Sequence, residues 1–149
     1  MQIVSYLLID TDTSTEQRRS YRGYTTDLKK RLHRHRLKKG ARYTRKFRHC
    51  EPLCYISGFA DKKTAMSFEW FTKKTRVKKF NSFKFSNDSR HSKILSRFCA
   101  TLGIEKFKTI THDLTVHLSA SYCENRVVDE LSEEYNCSVI CENFYKLYT

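Results

Sequence analysis

The strongest constraint on the fold is the first apolar segment, residues 2–9, in which hydrophobic side chains occupy both alternating sets of positions. Val4, Tyr6 and Leu8 form one set, and the residues between them are mostly apolar as well. Successive side chains of a strand point to opposite faces of its sheet. A strand that is apolar on both faces has to be covered on both sides, so this segment predicts a central, buried strand.

Strands and helices alternate along the rest of the chain, which predicts a mixed α/β fold. In the first half we expect a second strand at Ser20–Thr25, a helix from Asp27 to about Leu37, a third strand at Leu53–Phe59 and a helix over about Lys62–Lys74. Asp27 and Asp61 are typical N-cap residues, and Gly40 suits the end of the first helix. In the second half we expect a helix at Ser89–Leu102, a strand at Leu114–Leu118, an acidic helix at Asn125–Tyr135 and an apolar tail over Val139–Tyr148. Residues 77–85 receive no assignment.

A chain of 149 residues is typical of one domain with at most a small appended unit. We expect a domain over residues 1–86 and an extension over residues 87–149 that packs on it or mediates association. The N-terminal segment lacks the basic region of a signal peptide, and no apolar run approaches the about 20 residues of a membrane span. We therefore expect an intracellular protein, in the nucleus or cytoplasm and without a membrane partner. Its 6 cysteines are then predicted to be thiols rather than disulfides.

The charge of the chain predicts a polyanionic partner. The formal net charge is +13, and 14 basic residues lie between Arg18 and Arg48, where Asp27 is the one acidic residue. A solvated basic face without function and a membrane surface are the alternatives. Tyrosine and histidine residues interleaved with the basic ones favour nucleic acid.

A carboxylate stands in the middle of the helix predicted over residues 62–74. Glu69 lies between Phe68 and Trp70, beside the apolar face of that helix. A carboxylate buried without a partner costs free energy, whereas Mg²⁺ is commonly held by one carboxylate together with waters and substrate phosphate. Glu69 is therefore a candidate metal ligand. The alternative is a glutamate at the solvent boundary of an amphipathic helix.

Four other polar side chains are candidates for phosphoryl chemistry. Arg31 and His35 are four residues apart in the first predicted helix, and such residues are neighbours on its surface. Arginine offers a planar fork to phosphate oxygens, and histidine exchanges a proton near neutral pH. Tyr6 and Tyr21 add two phenols. A phosphate-binding helix without catalysis and core tyrosines with satisfied hydroxyls are the alternatives.

Four short motifs, in their order and spacing, resemble the GIY-YIG nuclease domain. They are Ser5-Tyr6-Leu7-Leu8, Tyr21-Arg22-Gly23-Tyr24-Thr25, Lys30-Arg31-Leu32 with His35, and Phe68-Glu69-Trp70. The most similar branch is the catalytic subunit of the eukaryotic Slx-type structure-specific endonuclease, which the runs Gly40–Arg45, Ser92–Phe98 and Leu114–Leu118 also resemble. The resemblance extends over about residues 2–118.

This resemblance implies an endonuclease with a small three-stranded antiparallel sheet flanked by helices, followed here by a short C-terminal helical and strand extension. Residues 1–86 would be the nuclease domain. By position, Tyr6 and Tyr21 match the motif tyrosines, Arg31 the catalytic arginine, His35 the following histidine, and Glu69 the ligand of one Mg²⁺ or Mn²⁺ ion. Tyr6 would help to activate a water that Tyr21 and His35 orient, or the three would share the role of base.

The substrate implied by the resemblance is branched double-stranded DNA, such as flaps, forks and Holliday-type junctions in repair, recombination or replication. No base-reading module is evident, so we expect recognition of shape. The side chains expected to contact DNA are basic or aromatic and are Arg22, Lys30, Arg34, Lys38, Lys39, Arg42, Tyr43 and Arg45. The aromatic residues that could stack on unpaired bases are Tyr43, Phe47, Phe80, Phe83 and Phe85, and at least two of them are expected to lie in the core instead.

The chain departs from the eukaryotic branch at its C-terminal end. That branch carries a RING-like zinc module with paired Cys-x-x-Cys motifs, and no such pair occurs here. His117, Cys123, Cys137 and Cys141 give only a degenerate zinc pattern, so zinc is not expected. Since the module docks a scaffold protein in the family, the need for a scaffold stays open, as does a homodimer. A reduced chain of this kind would suit a virus.

Two other functions compete with the endonuclease. One is a nuclease-derived module that holds branched nucleic acid without cutting it. The other is an RNA-binding or ribosome-associated basic protein. The presence of all five polar side chains favours the enzyme over the first of these.

Overall fold

The computed structural model describes residues 2–12, 19–74 and 89–147. Five strands form one sheet: β1 Val4–Asp10, β2 Ser20–Thr25, β3 Cys50–Ser57, β4 Thr115–Ser119 and β5 Ser138–Glu142. The α-helices are α1 Leu28–Arg36, α2 Lys62–Thr72, α3 Ser89–Ala100, α4 Glu105–Lys108 and α5 Asn125–Tyr135. The predicted boundary at residues 86 and 87, the unassigned segment 77–85, and Phe80, Phe83 and Phe85 lie outside the described residues.

The α/β fold and the central position of the first strand are confirmed. All residues of β1 are buried, and the strand order is β2-β1-β3-β4-β5. β1 pairs antiparallel with β2 and β3, β3 pairs antiparallel with β4, and β5 runs parallel to β4. The three-stranded antiparallel core implied by the resemblance is present, and the predicted strand at Leu114–Leu118 extends it as β4, followed by β5, which was not predicted as a strand. β3 is buried from Pro52 to Ser57 and so needs β4 as a neighbour on its outer side.

The two faces of β1 pack against different helices. Leu7 and Ile9 join a large core cluster that includes Phe68 of α2 and Phe98 of α3. Val4, Tyr6 and Leu8 face the other way, into a cluster with Leu28 and Leu32 of α1. Tyr6 thus lies on the α1 face of the sheet.

The helix starts follow the predicted caps. The Asp27 carboxylate accepts the backbone N–H of Lys30 at 3.1 Å, and the Asp61 carboxylate accepts that of Thr64 at 2.7 Å. The chain leaves α1 through Lys38, whose φ of 60° is left-handed, and not through Gly40 as expected. Gly40 is instead required for close contact, because a Cβ there would stand 2.5 Å from Nδ1 of His35.

The C-terminal strand β5 is tied to the sheet by buried polar contacts. Tyr55 donates its hydroxyl to the Glu142 carboxylate at 3.0 Å, and the same carboxylate contacts Nδ1 of His117. Nε2 of His117 in turn lies 2.8 Å from the hydroxyl of Ser57. Side chains of β3, β4 and β5 therefore form one network across the sheet.

Cys123 and Cys141 form a disulfide in the structure, so the prediction of thiols is wrong for this pair. Their Cα atoms are 5.9 Å apart, which lies within the range that a disulfide spans. The pairing depends on β5 running beside β4, a contact that the apolar tail did not predict. Cys50, Cys54, Cys99 and Cys137 are free, as expected.

Within the described part of the chain, no helix is both long and apolar enough to cross a membrane.

Candidate active site

Four of the five predicted catalytic side chains line one open pocket of about 370 Å³. Tyr6 comes from β1, Tyr21 from β2, Arg31 from α1 and Glu69 from α2. The sheet and two helices on its opposite faces thus bring together residues that lie far apart in sequence. His35, the fifth, is 1% exposed and lies behind Tyr6 instead of in the pocket wall.

Gly23 allows the pocket to form next to Tyr6. It pairs with Tyr6 across β1 and β2, and a Cβ at this position would lie 2.5 Å from the Tyr6 hydroxyl oxygen. Glycine is therefore needed at this position for the close approach of Tyr6. It is not needed for a positive φ, which among the described glycines belongs to Gly58.

A chain of hydrogen bonds runs inward from the pocket. Arg31 donates Nε–H to the Tyr6 hydroxyl oxygen at 3.2 Å, and that hydroxyl lies 3.0 Å from Nε2 of His35. On the far side of the ring, Nδ1 of His35 lies 2.8 Å from the hydroxyl of Thr44. Thr44 in turn donates to the carbonyl oxygen of Ala41 at 2.8 Å.

The direction of this chain fixes the histidine tautomer. A hydroxyl has one proton, and that of Thr44 is used on Ala41, so Thr44 accepts from His35 Nδ1–H. Nε2 of a neutral His35 then has a free lone pair and accepts the proton of Tyr6. The Tyr6 oxygen keeps two acceptor positions. Arg31 takes one of them, and the other is available to a group in the pocket.

The pKa values agree with a neutral histidine and an intact phenol. Burial, together with the Arg31 and Arg34 cations, lowers the pKa of His35 to about 4. Burial raises the pKa of Tyr6 to about 12, and the hydrogen bond from Arg31 opposes this rise. The bond with Tyr6 also raises the pKa of Arg31. At neutral pH the group thus consists of a cation, a phenol and a neutral imidazole.

Comparison with known proteins assigns the part of the chain that carries these residues to a family. Residues 4–84 match the model of the GIY-YIG catalytic domain, a range that holds all five predicted catalytic residues. The chain belongs to the GIY-YIG family.

Two relatives of this GIY-YIG chain come from streptococci. A UPF0213 protein of Streptococcus pneumoniae serotype 4 is 40% identical over 84 residues, which are 56% of this chain and 82% of the relative. A UPF0213 protein of Streptococcus pyogenes serotype M5 is 50% identical over 58 residues, or 39% of this chain and 62% of the relative. Neither name states an activity or mentions the Slx-type branch, so closeness to that branch stays a prediction.

Glu69 of the GIY-YIG domain suits a single divalent cation. Its side chain is 16% exposed and lines the pocket, and its carboxylate contacts the Lys73 ammonium at 2.5 Å, so the site already binds a positive charge. Among the described residues no cluster of three or more histidine, cysteine or acidic side chains could hold a metal. One carboxylate that leaves most positions to water and phosphate is the mode in which Mg²⁺ usually binds.

The residues predicted to contact DNA divide by position. Lys30 and Arg34 line a second pocket of about 530 Å³, which shares Arg31 with the first pocket and lies beside it. Arg22 alternates with Tyr21 and Gly23 in β2 and pairs with Leu7, so its side chain lies on the sheet face opposite to that of Tyr21. The other side chains predicted to contact DNA are exposed on the turn and 3₁₀ segment after α1, and they are Lys38, Lys39, Arg42, Tyr43 and Arg45. Phe47 is 1% exposed and lies in the core cluster under α1, so its predicted stacking on bases is wrong.

Sequence reasoning missed three residues of this site. Thr44 orients His35, Lys62 lines the pocket, and Lys73 pairs with Glu69. Thr44 and Gly40 both fall in the run Gly40–Arg45, which resembles the Slx-type branch, so the signal that could have found Thr44 was present in the sequence. Lys73 lies four residues after Glu69, a spacing that predicts an ion pair on a helix.

Proposed function

We propose that this protein is a divalent-metal-dependent endonuclease that hydrolyses phosphodiester bonds in branched double-stranded DNA. The observation that carries the proposal is the directed chain from Arg31 through Tyr6 to His35, which begins in the pocket that Glu69 also lines. A proton acceptor, a guanidinium and a carboxylate around one open pocket are the groups that phosphodiester hydrolysis needs.

Tyr6 and His35 together act as the general base. A water in the pocket donates to the free acceptor position of the Tyr6 oxygen, and attacks phosphorus as it loses that proton. Tyr6 passes its own proton to Nε2 of His35, so the phenol is restored and the imidazole becomes the cation. The high pKa of Tyr6 then does not hinder the reaction, because no free phenolate has to accumulate. Thr44 stabilises the charged ring, since its hydroxyl accepts from Nδ1–H.

Arg31 and Glu69 act on charge. The Arg31 guanidinium stabilises the phosphate oxygens, where negative charge grows as the water adds. Glu69 would hold Mg²⁺ or Mn²⁺, which supplies Lewis-acid stabilisation of the scissile phosphate and the leaving oxygen. Tyr21 lines the same pocket, with its ring centroid 5.5 Å from that of His35, and orients the water.

Binding depends on the basic surface around α1. Lys30 and Arg34 in the second pocket would hold the phosphate next to the one that is cut. If about 6–10 phosphates are contacted, affinity falls about 10³–10⁵-fold between 50 and 200 mM salt. Preference for a branch over plain duplex follows from the resemblance to the Slx-type branch and from the absence of a base-reading module in the sequence.

A panel of end-labelled flap, fork, four-way junction and plain duplex DNA, with and without Mg²⁺, tests the proposal. We expect cuts near the branch that require the metal and are lost in Glu69→Gln. Binding without cutting in every metal would support a nuclease-derived binding module. Equal competition by duplex RNA would support an RNA-binding protein instead.

A further inference from the structure

Helix α2 presents an exposed apolar pair beside the candidate metal ligand. Trp70 is 53% exposed and Met66 is 44% exposed, which is unusual for side chains of this size. They are one turn apart in the helix and follow directly on the side of the helix that lines the pocket. Neither Trp70 nor Met66 takes part in the proposed catalysis.

Helix geometry makes this pair continuous with the pocket wall. At about 100° per residue, Lys62 and Glu69 lie within about 20° of each other, and both line the pocket. Met66 follows at about 60° from Glu69 and Trp70 at about 100°. The apolar pair is therefore the next surface that a DNA strand would contact where it leaves the pocket on the α2 side.

The surroundings of Trp70 are positively charged. Lys62, Lys63 and Lys74 are exposed on the same side of α2, and Nζ of Lys74 lies 5.4 Å from the centre of the indole ring. Phe71 contacts the indole at 4.9 Å between ring centres and at 89°, and Phe71 itself packs on the core. The indole is thus held in place while half of its surface stays open.

An anchored, exposed indole among lysines suits an unpaired nucleobase. Nucleobases stack on aromatic rings regardless of sequence, and the lysines neutralise the flanking phosphates. A neutral apolar partner protein would gain nothing from these lysines. We propose that Trp70 is a stacking platform for an unpaired base next to the scissile phosphate, and that Met66 provides an apolar contact beside it. This inference rests on the proposed nuclease function and specifies the substrate as DNA with an unpaired strand at the branch.

The chain has 1 tryptophan, so its fluorescence reports on this position alone. The probe is Glu69→Gln protein titrated in Mg²⁺ with a 5′-flap, with the same flap carrying abasic sites beside the branch, and with plain duplex. Binding is followed in parallel by anisotropy of labelled DNA. We expect strong quenching by the flap and little by the other two. Equal quenching by the abasic flap, or no quenching while the flap binds, would overturn the platform.

Three variants give a second readout. Trp70→Leu keeps an apolar side chain without a π face, and we expect its flap affinity to fall about 5- to 150-fold, the range for loss of one stacked base. Trp70→Phe should recover part of this loss, and Ile140→Ala, at another exposed apolar residue on β5, should match wild type. Plain duplex affinity should be unchanged in all three. Equal losses for flap and duplex in Trp70→Leu would contradict the proposal.

The two proposals fail in different ways. If wild-type protein cuts flaps but the indole does not respond to them, only the stacking platform is refuted. If no DNA is cut in any metal while the flap still quenches the indole, the nuclease function is refuted. If anionic phospholipid vesicles change the fluorescence and DNA does not, α2 faces a membrane surface and the platform is refuted.

Discussion

The substitution Thr44→Val tests the proton relay at its innermost link. Thr44 and His35 are each 1% exposed, and the bond between them is 2.8 Å long. Valine keeps the shape of threonine but cannot accept from Nδ1–H, nor can it donate to Ala41. A buried polar group without a partner costs about 1–3 kcal/mol, so we expect the free energy of unfolding to fall by about that amount.

The effect on catalysis should exceed what this loss of stability explains. Without Thr44 the proton of the neutral imidazole can move to Nε2, and this tautomer has no lone pair for Tyr6. General base catalysis contributes about 10²–10⁴-fold, and loss of the favoured tautomer should remove about 10- to 100-fold of it. Binding of DNA should be unchanged because Thr44 is buried.

The assay is single-turnover cleavage of a labelled flap under conditions where both variants are folded, as judged by urea unfolding. Thr44→Ser keeps the hydroxyl and should restore most of the rate. Nitrogen-15 NMR of the imidazole should show Nδ1–H in wild type and a shift toward Nε2–H in Thr44→Val. A valine variant with the wild-type rate and the wild-type tautomer would refute the relay, as would a serine variant as slow as the valine one.

Three further predictions follow from the same site. The pKa of His35 is lowered from about 6.5 to about 4, so as pH falls the unfolded chain takes up a proton on this residue before the folded protein does. The contribution of His35 to the free energy of unfolding is therefore fully present above pH 6.5 and is lost as pH falls to 4, by up to about 3 kcal/mol. Urea titrations at several pH values measure this, and in His35→Gln the free energy of unfolding should depend less steeply on pH. Gly23→Ala should displace the Tyr6 ring, because the new Cβ would lie 2.5 Å from the Tyr6 hydroxyl oxygen. We expect the free energy of unfolding in urea to fall by about 1–3 kcal/mol and the cleavage rate to fall at least about 10-fold. A wild-type cleavage rate would be inconsistent with the contact. Lys73→Met removes the ammonium that competes for Glu69, so half-maximal cleavage should need several-fold less Mg²⁺ than wild type; a higher requirement would show that Lys73 assists the metal.

Local signals predicted much of the fold. The apolar strand, the Asp27 and Asp61 caps and the acidic helix at 125–135 depend on neighbouring residues, and the structure has all of them. The convergence of Tyr6 with Glu69 was expected from motif order. It is realised because α2 packs against β1 and β2.

What the sequence did not predict depends on contacts between distant segments. β5 becomes a strand only because β4 offers it an edge, and the Cys123–Cys141 pair follows from that contact. The position of His35 behind Tyr6 depends on Thr44, which a 3₁₀ segment brings under α1. The position of Arg22, on the sheet face opposite to that of Tyr21, was available from strand alternation.

The network that joins Tyr55, His117 and Glu142 has a consequence for how the molecule meets others. The chain's own tail takes the place beside β4 that another polypeptide would otherwise fill, so the outer sides of β2 and β5 are the borders of the sheet left for added strands. Since β2 forms one side of the candidate active-site pocket, a molecule that docked along that border would stand at the entrance to the pocket.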